Sequence, residues 1–104
     1  GFSQGVAMAY RAALSTKHTC QGLLALAGDI PPELHNTPAP RWPPMLLGHG
    51  LTDQWYTQDK WHKDWNVLKS QGIRFDTVRF DGGHEWHPEF LEAAGRFLDR
   101  IREK

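Results

Sequence analysis

Three short stretches carry residue types that together can do nucleophilic chemistry: GFSQG at Gly1 to Gly5, HGLTD at His49 to Asp53, and DGGHEW at Asp81 to Trp86. A serine hydroxyl is a weak nucleophile until a base takes its proton, and the base works best when an acid orients it. Ser3, Asp53 and His84 supply those types, in that order along the chain. The reference pKa of histidine, ~6.5, lets His84 accept the proton of Ser3 and later return it to a leaving group. Asp53 would hold the imidazole tautomer and stabilise the imidazolium, and the main-chain N–H of Gln4, directly after the serine, would donate to a developing oxyanion.

Each residue also has a plainer role available. Ser3 can be a helix N-cap, Asp53 a turn residue and His84 a surface histidine. The spacing G-x-S-x-G favours more than a cap. A serine exposed on a tight strand-to-helix turn adopts a backbone conformation costing roughly 1–3 kcal/mol, and flanking glycines let the two backbones approach. Gly1 and Gly5 are placed for this.

The elements that must position these residues can be read around them. VAMAYRAAL follows the serine without Gly or Pro, predicting a helix from about Gln4 to Leu14. Gly22 to Ala27 and Met45 to Gly48 are short continuous apolar runs bounded by breakers, as in strands buried on both faces of a parallel sheet. Gly28 to Pro44 holds six of the seven prolines and reads as a long surface loop with a short turn near Glu33. Thr57 as N-cap, Gly72 past the end and apolar Trp61, Trp65 and Leu68 define a helix over 57–70 that should lay its Trp stripe on the sheet. Ile73 to Phe80 reads as a third strand. Pro88 opens a last helix to Arg102, with Phe90, Leu91, Ala94, Phe97, Leu98 and Ile101 on one face. The order predicts an α/β fold, a parallel sheet layered with helices, in which functional groups gather at the carboxyl ends of strands. Ser3, Asp53 and His84 each follow a buried strand or an expected one.

Bulk properties narrow the partners. The 104 residues suit a single small domain, and the net charge of zero favours neither nucleic acid nor an anionic membrane surface. No apolar run approaches the ~20 residues that span a bilayer. Cys20 is alone, offers no zinc pair and reads as a buried small hydrophobe. HEWH at His84 to His87 lacks the H-E-x-x-H spacing, so no metal is expected. His49 is expected near the site in a packing or hydrogen-bonding role, and His18, His35 and His62 on the surface. Trp55, Tyr56 and Trp86 lie beside the candidate acid and base and can line an apolar acyl pocket, whereas Trp61 and Trp65 read as packing.

GFSQG with its small-residue helix, then LLGHGLTD, then DGGHEW before an amphipathic C-terminal helix, resembles the second half of an α/β-hydrolase. Within that fold it is most similar to the phospholipase/carboxylesterase family that includes acyl-protein thioesterases. The resemblance covers almost all of the chain, the Pro-rich loop being its least similar part. It implies a serine hydrolase of small ester or thioester substrates, working through an acyl-enzyme without a cofactor. It also implies strands before the nucleophile, one loop of which supplies a second oxyanion donor. The chain is therefore expected to be the C-terminal half of such a domain, completed by its N-terminal half or by self-association through an open sheet edge. A serine peptidase or polyester depolymerase of the same fold, and a non-catalytic half-domain, are the alternatives.

Overall fold

A computed structural model describes residues 1–15 and 19–102. The element order is α1 (Gln4–Ser15), β1 (Leu23–Leu26), two short 3-10 turns (Pro32–Leu34 and Ala39–Arg41), β2 (Met45–Gly50), α2 (Gln58–Ser70), β3 (Asp76–Phe80) and α3 (Pro88–Arg102). The strands form one sheet in the order β1-β2-β3, both pairs parallel, with Leu23 opposite Met45 and Gly50 opposite Phe80. This is the expected α/β arrangement. Gly1 to Ser3 run along the other side of β1: Leu26 N donates to Gly1 O at 3.0 Å and Ser3 N to Leu26 O at 2.9 Å, and Phe2 pairs in parallel with Leu26.

The continuous apolar runs became the buried strands because both sheet faces are covered. Neighbouring strand residues point to opposite faces. His49 stacks on Trp61 of α2 at 5.1 Å, while a side chain at Gly48 would run into Phe90 of α3, so these helices lie on opposite faces of β2. Every residue of β2 is buried. Edge strand β3 buries only Phe80 fully.

Several expectations change. Strand β2 runs two residues past the expected Gly48, through His49 and Gly50. The third strand begins at Asp76, not Ile73, because Ile73 N donates to Leu68 O at 3.0 Å and Gly72 N to Lys69 O at 3.1 Å. With Gly72 at φ +70°, this is a Schellman close of α2 that spends the Ile73 N–H on the helix. Trp65 does not join the packed stripe of α2, whose buried residues are Trp61, Asp64 and Leu68. Trp65 lies on the flank against Phe75. On α3 the buried face is Phe90, Ala93, Ala94 and Phe97, and Leu91 and Leu98 are exposed. Cys20 is half-buried, its thiol donating to Gly22 O at 3.3 Å. Of the surface histidines, His62 is exposed, His35 is half-buried and His18 lies outside the described residues.

Candidate active site

The site is assembled at the carboxyl ends of the strands. Ser3 lies between the chain pairing with β1 and the start of α1, and its φ of +57° is the left-handed conformation that a tight serine turn requires. Gly1 fits its expected role, since a Cβ there would lie 2.5 Å from Gly5 O. Gly5 does not, because a Cβ on it meets nothing within 4 Å. The close approach is made instead by Gly28, just past β1, where a Cβ would lie 2.5 Å from both Ser3 O and Val6 Cβ.

The turn after β2 folds around Asp53. Its Oδ1 accepts from Trp55 N at 2.8 Å and Tyr56 N at 2.9 Å, an Asx turn that leaves Oδ2 free to face outward. The same turn is stitched to the loop after β3: Leu51 N donates to Phe80 O, and Thr52 donates to Gly82 O through both its N–H and its hydroxyl. That loop presents His84. Its Nδ1 lies 2.8 Å from Asp53 Oδ2 and its Nε2 lies 2.7 Å from Ser3 Oγ. With the carboxylate fully buried, the ring proton belongs on Nδ1, so that Nε2 accepts from the serine hydroxyl. The three residues therefore form one hydrogen-bonded chain across 81 positions of sequence.

Gln4 is the first residue of α1, so its N–H is one of the helix-start donors with no partner inside the helix. The next two N–H groups are occupied, Gly5 N by Phe2 O and Val6 N by Ser3 O. A groove of about 460 Å³ opens over the serine between Gln4, Ala7, Asp29, Trp55, Lys60 and His84. Trp55 is exposed at its rim and Tyr56 buried in its wall. Trp86 stands outside that groove, 5.3 Å from the Phe2 ring, which in turn packs 5.0 Å from His84. A larger groove of about 670 Å³ lies at the opposite end of the sheet, lined by Met45, Lys69, Ile73, Asp76, Phe97 and Ile101 among others, with no serine, cysteine or histidine in its lining.

Behind the Asp53 turn stands a layer that the motifs do not announce. His49 is fully buried. Its Nε2 donates to Tyr56 O at 3.0 Å and its Nδ1 accepts from Arg79 Nε at 3.2 Å. Burial and the neighbouring Arg79 cation hold its pKa below the ordinary range, so it stays a neutral peg. Asp64 is also buried, and burial pushes its carboxyl up to about 7 against the opposing pull of the Tyr56 hydroxyl and Ile30 N–H. One sequence signal marks Asp64, a carboxylate three residues from Trp61 on the packed side of an amphipathic helix.

The raised carboxyl has a consequence for stability. Between the ordinary carboxyl range near pH 4 and about pH 7, the folded chain holds a proton that the unfolded chain has released. Stability attributable to Asp64 is therefore full at low pH, falls as pH rises through that window and is flat above it. Asp64→Asn is expected to gain several degrees in Tm relative to wild type between about pH 5 and pH 8. A wild-type-minus-variant difference that is constant over this range would contradict it.

A profile of the phospholipase/carboxylesterase family matches residues 1–102. Acyl-protein thioesterase 1 homolog 1 of Dictyostelium discoideum is 31% identical over 109 residues, covering 100% of this chain and 48% of that protein. The crystal structure of esterase PE8 superposes with a TM-score of 0.76 at 29% identity, over 97% of this chain and 48% of that one. Arabidopsis thaliana SOBER1 has a TM-score of 0.80 at 22% identity over 97% of this chain and 50% of its own, a likeness of fold alone. The chain spans about half the length of the curated relatives it matches. From strand order to serine turn, it belongs to the phospholipase/carboxylesterase family of α/β-hydrolases.

Proposed function

We propose that these residues are the nucleophile, base and acid of a serine hydrolase acting on carboxylic esters or thioesters. The observation that supports this most directly is the hydrogen-bonded chain Ser3 Oγ, His84 Nε2, His84 Nδ1, Asp53 Oδ2, with separations of 2.7 Å and 2.8 Å. Ser3 Oγ attacks the substrate carbonyl carbon as its proton passes to His84 Nε2. The tetrahedral oxyanion takes the Gln4 N–H, a donor whose loss in such sites costs about 10²–10³ in rate. Collapse breaks the bond to the alcohol or thiol, which leaves with the proton from Nε2, and an acyl-Ser3 ester remains. Water then attacks that ester, again giving its proton to Nε2, and releases the carboxylic acid while the proton returns to Ser3. Asp53 stays ionised throughout and holds the Nδ1 proton. Trp55 and Tyr56 would line the groove that receives the substrate, with Trp86 as a further apolar surface beside Phe2.

The 104 residues are, on this proposal, the C-terminal half of the catalytic domain. Earlier strands would pair beside Gly1 and Phe2, and one of their loops would bring the second oxyanion donor. The names of the thioesterase and esterase relatives support an ester or thioester substrate over an amide.

The test is covalent. A fluorophosphonate should label Ser3, identified by peptide mass spectrometry, and Ser3→Ala should abolish the label while the chain remains folded. Labelling elsewhere, or undiminished in Ser3→Ala, overturns the proposal. Parallel turnover of an aryl ester, a thioester and a peptide anilide then ranks the substrate classes.

A further inference from the structure

Position 64 sits between Trp61 and Leu68 on the packed side of α2 and is 3% exposed. A carboxyl at such a place is costly unless directional bonds hold it. Its bonds are specific. Asp64 Oδ2 accepts from the Tyr56 hydroxyl at 2.6 Å and from Ile30 N at 3.3 Å. The aromatic it grips is itself held at both main-chain groups: Tyr56 N donates to Asp53 Oδ1 and Tyr56 O accepts from His49 Nε2. Tyr56 is thus fixed at hydroxyl, N–H and carbonyl, and one of those three bonds ends on the carboxylate that faces His84.

We infer that Asp64 is a positioning residue for the reaction, holding through the Tyr56 hydroxyl the turn that aims Asp53 Oδ2 at His84. This rests on the assignment of Ser3, His84 and Asp53 proposed above. Asp64 is placed where the site-bearing elements converge. Ile30 belongs to the loop after β1, Tyr56 to the acid turn, and Tyr10 to α1, two turns beyond Ser3. The Tyr10 hydroxyl is buried with no hydrogen-bond partner among the described residues, and its phenol is close enough to Asp64 to be pushed further from ionising by that charge. The other charged groups facing Asp64 are Asp29 from the loop after β1 and Lys63 from α2 itself. A rotation of Tyr56 would carry Asp53 Oδ1 with it and turn Oδ2 away from the imidazole.

The experiment reads the Asp53–His84 bond directly and then its use. In the folded chain, the His84 Nδ1 proton should give a far-downfield NMR resonance, because it is shared with a buried carboxylate. Asp64→Ala and Tyr56→Phe should both lose or broaden that resonance, slow fluorophosphonate labelling of Ser3 about tenfold, and lower the pH at which labelling is half-maximal. Asp64→Asn keeps a carbonyl acceptor for the Tyr56 hydroxyl and should recover the resonance and come within about twofold of the wild-type rate. A lower Tm in Asp64→Ala and Tyr56→Phe with resonance, rate and pH profile unchanged would overturn the inference and leave the assignment of Ser3, His84 and Asp53 standing. If Asp64→Ala does not fold, Tyr56→Phe decides alone, since it removes one oxygen and keeps the ring. A wild-type chain that shows neither resonance nor label would overturn the underlying assignment, and this inference with it.

Discussion

Asp53→Asn is expected to lower turnover of an aryl ester about 10⁴-fold while the protein stays folded. The direction of the amide is set by what already surrounds the carboxyl. Trp55 N and Tyr56 N both donate to Oδ1, so the carbonyl oxygen of the asparagine must take that place. The amide nitrogen then faces His84 Nδ1, which lies 2.8 Å from the present Oδ2. Two donors cannot share that gap, so Nδ1 must give up its proton and the ring carries it on Nε2 instead. Nε2 now points an N–H at Ser3 Oγ and can no longer accept the serine proton. The imidazolium of the transition state also loses its buried counter-charge. Comparing kcat/KM with a thermal melt checks both halves: an undiminished rate contradicts the assignment of Asp53, and a loss accompanied by unfolding contradicts the claim that the turn survives.

The fold and the site were legible to different depths. Leu23–Leu26 and the first four residues of β2, Met45 to Gly48, could be found because a strand covered on both faces must be apolar throughout, and a run of that kind between breakers has few other uses. His49 and Gly50, which complete β2, could not, since a histidine breaks the apolar run. The start of helix α3 was fixed by Pro88, and its period carries through the described residues to Arg102. What the period could not decide was which of two neighbours on the flank of a stripe turns inward. On α2 that choice fell to Asp64 over Trp65, because Tyr56 and Ile30 offer bonds to a carboxyl while the larger indole finds Phe75 and a cation, Lys69, at the rim. Likewise Ile73 reads as strand by propensity, but its N–H closes a helix. Ser3, Asp53 and His84 stood out because each follows a strand. The groups behind them did not, since an Asx turn and a buried hydroxyl leave no spacing in the sequence.

Gly50→Val is expected to cost about 10²-fold in activity or more, together with about 1–3 kcal/mol of stability, without touching any reacting group. Gly50 ends β2 opposite Phe80, where the Asp53 turn and the His84 loop part. A Cβ there would lie 2.2 Å from Gly83 O and 2.6 Å from Gly82 O, and both are backbone atoms that cannot swing aside like a side chain. Carbon needs over 3 Å from such oxygens, so the loop must retreat by about 1 Å, and Gly83 carries His84 directly after it. His84 bonds in two directions at once, to Ser3 and to Asp53, and a displacement that lengthens both interrupts proton transfer and its orientation together. Gly83→Ala is the contrast within the same loop, because a Cβ there would meet only Thr52 Oγ1 at 3.9 Å. It should change rate and Tm little. If the two variants behave alike, the loss in Gly50→Val comes from loop flexibility and not from the wedge between strand and loop; a large difference means that this close passage of backbones sets the register of the base.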